Sequence, residues 1–109
     1  MGRLDGQVAI ITGGARGIGE GICEVFCNEG ATVALWDVLE IGDSTANRIS
    51  SKGGSIFFQK VNITSKKEVE EAVKEIIIKF KKIDILINNA GIASSSHLVK
   101  TDENKIIDV

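Results

Sequence analysis

Gly13, Gly17 and Gly19 stand at Gly-x-x-x-Gly-x-Gly spacing directly after the apolar run Val8-Ala9-Ile10-Ile11. Glycines at these positions let the backbone turn tightly and let a ligand come close to it. A helix opening from the turn would aim its unpaired first N–H groups, and the positive end of its dipole, at whatever sits there. An anion suits that place, and a dinucleotide pyrophosphate is the commonest one. The plainer reading is a glycine turn with a structural role only.

Other polar groups fall at the ends of later apolar runs. Asp37 closes the run Ala31 to Trp36, where a carboxylate can accept hydrogen bonds from adenosine ribose hydroxyls; a solvated turn acid is the alternative. Asn62 can meet the adenine edge with Ile63 stacking nearby, or serve as an ordinary turn residue. Asn88-Asn89-Ala90-Gly91 joins two amides to a small-residue turn, either beside the nucleotide or with Asn side chains bonding their own backbone. Asp37 also bears on the choice of dinucleotide. A 2′-phosphate beside it meets repulsion of about 4 kcal/mol for charges about 4 Å apart at an effective dielectric of about 20. Arg16 pulls the other way, because a guanidinium pairs with phosphate. Asp37 occupies the ribose position itself, so the balance favours NAD(H) over NADP(H).

The elements that must position these groups follow from periodicity. Val8–Ile11 reads as a strand buried on both faces. A helix from Gly17 to Glu29 follows, with Ile18, Ile22, Val25 and Phe26 at helical spacing and Gly30 beyond its end. Ala31–Trp36 is a second strand, Asp43–Ser51 a second helix with Ala46 and Ile49 inward, and Ser55–Val61 a third strand. Ser65 and Glu68 form a capping box for a helix carrying Val69, Ala72, Val73, Ile76, Ile77 and Phe80 on one face. Asp84–Ile87 is a fourth strand, residues 94–97 a polar loop, and 101–109 the start of a further helix. Alternating strands and helices imply an α/β fold: a Rossmann-type doubly wound parallel sheet with strand order 3-2-1-4. The glycine turn, Asp37, Asn62 and Asn88-Asn89 then meet at the carboxyl ends of the strands, where the order reverses. Strand 4 would be an apolar edge, which natural sheets avoid, so further strands are expected beyond Val109.

Composition narrows the function. The 109 residues carry a net charge of −2, without a basic patch for nucleic acid. No apolar run reaches membrane-spanning length and the N-terminus lacks an apolar leader core, so a soluble, cytoplasmic protein without membrane partners is expected. A myristoylation signal wants Ser or Thr at position six, where Gly6 stands. Cys23 and Cys27 lie at neither redox nor metal spacing and read as small apolar residues on a helix face. His97, the only histidine, has no partner by spacing, so neither a metal site nor a catalytic role is assigned to it.

Thr12-Gly13-Gly14-Ala15-Arg16-Gly17-Ile18-Gly19 together with Asn88-Asn89-Ala90-Gly91 resembles the short-chain dehydrogenase/reductase family, and the resemblance covers essentially the whole chain. In that family TGxxxGxG binds the cofactor, and NNAG steadies the sheet and lines the nucleotide pocket. Asp37 resembles the acid of NAD-preferring members, and Asn62-Ile63-Thr64 is similar to the segment after strand 3. The resemblance therefore implies cofactor-binding roles for Gly13, Arg16, Gly17, Ile18, Gly19, Asp37, Asn62, Ile63, Asn89, Ala90 and Gly91. Family members move hydride using a Tyr-x-x-x-Lys pair and a Ser, assisted by an Asn. This chain has no tyrosine, and Ser94 to Ser96 come too early to stand for the family serine, so no catalytic residue is assigned. The expectation is the N-terminal part, residues 1–109, of a single NAD(P)-binding domain, cut after the fourth strand and the start of the following helix. The complete protein would exchange hydride with a small alcohol or carbonyl compound, 3-oxoacyl thioesters among them, as a homo-oligomer. The alternatives are a stand-alone dinucleotide-binding fragment without catalysis, and an interaction fragment whose strand 4 pairs with another chain.

Overall fold

The computed structural model describes residues 2–90, 98–100 and 106–108. Its elements run β1 (Val8–Thr12), α1 (Gly17–Asn28), β2 (Thr32–Asp37), α2 (Ile41–Ser50), β3 (Ser55–Lys60), α3 (Lys66–Phe80) and β4 (Ile85–Ile87). The sheet has the order β3-β2-β1-β4, every pair parallel, as the alternation of strands and helices requires. All of β1 is buried, which explains why Val8 to Ile11 are apolar without alternation.

Side chains alternate between the two faces of the sheet and build two cores. Ile10, Ala34 and Trp36 meet Val69, Val73 and Ile76 of α3 on one face. Ile11, Val33 and Leu35 meet Cys23, Ala46 and Ile49 of α1 and α2 on the other. Each large aliphatic side chain so buried contributes about 1.5–3 kcal/mol. The cores hold β1 and β2 rigidly from both sides, and the turns at their carboxyl ends inherit that rigidity.

Several expectations need correction. Ile18 and Val25 do not face the core: they are 77% and 57% exposed. The inward face of α1 is Gly19, Ile22, Cys23 and Phe26. Gly19 must lie against the Gly13 carbonyl, which sets the rotation of the helix, and at about 100° per residue Ile18 is carried to the outside. The helix expected over 101–109 is not what residues 106–108 form. Ile106–Asp108 is a strand (β6) paired antiparallel with Leu98–Lys100 (β5), with Val99 opposite Ile107. β-branched Val99, Ile106 and Ile107 favour that extended pairing. The readings of residues 94–97 and of Gly91 fall outside the described residues. No described helix is long and apolar enough to cross a membrane.

Ser65 caps α3 by accepting from the Glu68 N–H at 3.2 Å. The other half of the expected box differs: Glu68 accepts from the Asn62 N–H at 3.0 Å, while the Ser65 N–H goes to the Asn62 carbonyl. Glu68 therefore ties the end of the β3 loop to α3. Ser65→Ala should lower the unfolding free energy by about 1 kcal/mol. The urea midpoint should fall with an unchanged slope, and Ser65→Asp should restore it.

Candidate functional site

The site begins where β1 ends. After Thr12 the backbone enters the left-handed region at Gly13 (φ +65°), leaves it, and re-enters at Gly17 (φ +62°), where α1 starts. These are conformations that only glycine adopts without strain. Between them the Gly14 N–H donates to the Trp36 carbonyl at 3.2 Å, and the Ala15 N–H to Asp37 Oδ2 at 3.0 Å. Arg16 is the N-cap of α1, and its side chain accepts no hydrogen bond from the helix. Among the described residues, the first-turn N–H groups therefore lack a side-chain cap and suit an anion.

Thr12 joins this turn to the end of β4. Its Oγ1 accepts the N–H groups of Asn89 (2.8 Å) and Ala90 (3.1 Å). Its own hydrogen points to the Ile87 carbonyl or to Asn88 Oδ1, at 3.4 and 3.2 Å. Asn89 Nδ2 donates to the Gly13 carbonyl at 3.3 Å. The Asn89 side chain thus bonds across to the turn after β1, and Asn88 Oδ1 lies within hydrogen-bond reach of Thr12, rather than either bonding its own backbone. A Cβ on Gly13 would come within 3.0 Å of the Ala90 Cα, and one on Gly19 would collide with the Gly13 carbonyl.

Asp37 is not a solvated turn acid. It is half-buried, with Oδ2 on the Ala15 N–H and Oδ1 on the Leu39 N–H, both at 3.0 Å. Each carboxylate oxygen keeps further accepting capacity. Asn62 behaves as the turn residue: Oδ1 accepts from the Thr64 N–H (3.0 Å) and hydroxyl (2.6 Å).

A cavity of about 390 Å³ opens over these groups, a volume within the range of about 300–1,000 Å³ usual for small-molecule sites. Gly13, Arg16, Gly17, Asp37, Ile63, Asn89 and Ala90 line it, as do Trp36, Val38, Leu39 and Val61, which sequence reasoning did not single out. Ile18 and Asn62 are exposed and do not line it, and Gly19 is buried beneath the turn. Thr12 and Trp36 were traceable, since each immediately precedes a residue the motifs pick out. Thr45, whose hydroxyl donates to the Ala15 carbonyl at 2.7 Å, carried no such signal. A second cavity, of about 410 Å³, lies along β3 and α3 and is lined by Phe57, Gln59, Glu71 and Glu75 among others. Among the described residues no group of three or more His, Cys, Asp or Glu could hold a metal ion.

The cysteines lie away from the cavity. Burial is the main cause that pushes the Cys23 thiol from an ordinary 9.0 up to about 12. Burial likewise pushes Cys27 up to about 11. They pack as small apolar groups and are poor nucleophiles near neutrality.

A family model described as short chain dehydrogenase matches residues 7–109. The 3-oxoacyl-(acyl-carrier-protein) reductase FabG of Chlamydia pneumoniae is 37% identical over 102 residues, covering 93% of this chain and 41% of that protein. Short-chain dehydrogenase reductase 3a of Arabidopsis thaliana is 43% identical over 91 residues, covering 83% of this chain and 35% of that protein. The crystal structure of a hydroxysteroid dehydrogenase from Escherichia coli is similar with a TM-score of 0.78 at 40% identity, covering 82% of this chain and 38% of that one. The chain spans less than half the length of these relatives.

Two outcomes follow from the site geometry. Thr12→Val leaves the Asn89 and Ala90 N–H groups without their acceptor and should cost about 2 kcal/mol in urea unfolding, whereas Thr12→Ser should cost far less. The thiols bind their protons more tightly folded than unfolded. Their contribution to stability is therefore complete below about pH 9 and is lost as the pH rises toward 11 and 12. The urea midpoint of the native chain should fall more steeply over that range than that of a Cys23→Ala, Cys27→Ala variant; equal slopes would contradict the assignment.

Proposed function

Because the chain belongs to the short chain dehydrogenase family, we propose that it holds the dinucleotide of a nicotinamide-dependent oxidoreductase, and that this dinucleotide is NAD(H). The observation that carries the reading is the joining, in one cavity, of an uncapped helix start and a carboxylate fixed by two backbone N–H groups. The turn from Gly13 to Gly17 and the first N–H groups of α1 would hold the pyrophosphate, with Gly19 leaving room beneath. Asp37 would accept from the adenosine ribose, and Val61 and Ile63 would supply the apolar wall beside the adenine. Asn89, Ala90 and Gly91 would line the nucleotide on the β4 side, and Arg16 would stand at the phosphate edge. When bound, the nicotinamide supplies the hydride donor or acceptor.

Preference for NAD(H) rests on the position of Asp37. Its carboxylate is held in the cavity by Ala15 and Leu39, so it cannot turn away to admit a 2′-phosphate without leaving those N–H groups unpaired. Residues 1–109 would then be the N-terminal part of a single NAD(P)-binding domain. In the whole protein, a homo-oligomer acting on small molecules, the substrate would be an alcohol or carbonyl compound. The named activity of the FabG relatives favours a 3-oxoacyl thioester. The second reading is a dinucleotide binder without catalysis. A coding sequence that continues past Val109 into Ser and Tyr-x-x-x-Lys would support the enzyme, and a stop codon there the binder.

Trp36 is the only tryptophan and lines the cavity, so energy transfer from it reports binding of a reduced nicotinamide. NADH should bind at least about tenfold more tightly than NADPH, and Asp37→Ser should remove most of that difference. Tighter NADPH binding would overturn the NAD(H) assignment. The 109-residue chain alone should show no dehydrogenase turnover, and measurable turnover would refute the absence of a proton donor.

A further inference from the structure

Thr45 lies within α2 and is 6% exposed. A mid-helix threonine commonly turns its hydroxyl to solvent or back to the carbonyl one turn earlier. Here the hydroxyl leaves α2 and donates to the Ala15 carbonyl at 2.7 Å. Ala15 is the middle residue of the turn between Gly13 and Gly17 and is 1% exposed. Its N–H is already held by Asp37, so the peptide groups on both sides of Ala15 are fixed, one by the tip of β2 and the other by α2.

That second peptide matters for a ligand. All peptide bonds described are trans, and in a trans peptide the carbonyl and the following N–H point in opposite directions. With the Ala15 carbonyl drawn toward α2, the Arg16 N–H is aimed away from α2. Arg16 lines the cavity, and no acceptor among the described residues takes its N–H. Resting on the dinucleotide reading above, we propose that Thr45 is a positioning residue for the phosphate cradle. By holding the Ala15 carbonyl it orients the Arg16 N–H as a donor to the pyrophosphate, without touching the ligand itself. Arg48, three residues on along the same face of α2, pairs with Glu24 at 2.9 Å and with Glu20, both on α1. Helix α2 is therefore seated on the helix that the turn feeds, and Thr45 acts from a fixed base.

A purely structural threonine would affect all ligands alike, so the test compares two. Wild type, Thr45→Val and Thr45→Ser are titrated with NADH, followed by energy transfer from Trp36, and with adenosine, followed by calorimetry. Thr45→Val should weaken NADH binding about tenfold, the effect of one charge-assisted hydrogen bond. Thr45→Ser should restore it, and adenosine, which has no pyrophosphate, should lose far less with Thr45→Val than NADH does. Unchanged NADH affinity, or equal losses for both ligands, would overturn the proposal. A measurement on the native chain guards against a variant that fails to fold. The Arg16 amide resonance should move with NADH and ADP-ribose but stay in place with adenosine; if NADH binds and this resonance does not move, Thr45 has no such role. Failure of the native chain to bind NADH at all would instead remove the dinucleotide reading, and this proposal with it.

Discussion

The Gly13 carbonyl is the point on which the rest of the molecule closes. Gly19 of α1 lies against it with no room for a Cβ, and Asn89 from the end of β4 donates to it. One atom thereby sets the rotation of α1, the approach of β4 to β1, and the direction in which the turn opens. The exposure of Ile18 and the inward face of Gly19, Ile22, Cys23 and Phe26 follow from that rotation. The Thr12 hydroxyl reinforces the same junction from the β1 side by accepting two N–H groups of the Asn89-Ala90 segment. A cavity floor made this way is preorganised, because its backbone groups are already held by one another before any ligand arrives.

Asp37 has a double part in this arrangement. It faces the cavity as a carboxylate, and it also holds the N–H groups of Ala15 and Leu39. If Asp37 takes the ribose as proposed, recognition and the shape of the turn would be mechanically linked. A substitution at Asp37 would also loosen the backbone proposed to hold the phosphates, because the Ala15 and Leu39 N–H groups would lose their acceptor. Family membership, shown by the match over residues 7–109, is consistent with the motifs around this cavity.

Much of the fold was legible because it depends on local patterns. The unbroken apolar β1, the amphipathic α3 with Ser65 ahead of it, and Gly30 after α1 each follow from chemistry within a few residues. Strand order followed from the handedness of parallel crossovers. The misreadings have physical causes of longer range. Ile18 and Val25 fit helical spacing, yet helical spacing does not say which way a helix is rotated. Glu68 takes the Asn62 N–H, while the Ser65 N–H is already held by the Asn62 carbonyl. Residues 106–108 pair with 98–100 as strands, in keeping with the strand preference of β-branched residue types.

For the candidate site, the residue types and order along the chain were enough to name the turn, Asp37 and the Asn88–Ala90 segment as groups that would meet. That is because covalent spacing and strand alternation put them all at carboxyl ends of parallel strands. Tertiary structure alone decided which of them face the cavity. It placed Gly19 beneath the turn, used the oxygen of Asn62 in its own turn, and brought Trp36 and Val61 into the wall. It also brought Thr45 against Ala15, a contact across 30 positions of sequence that no local pattern encodes. Motifs record what a backbone segment needs of itself, whereas the partner of a buried carbonyl is settled only when distant elements pack.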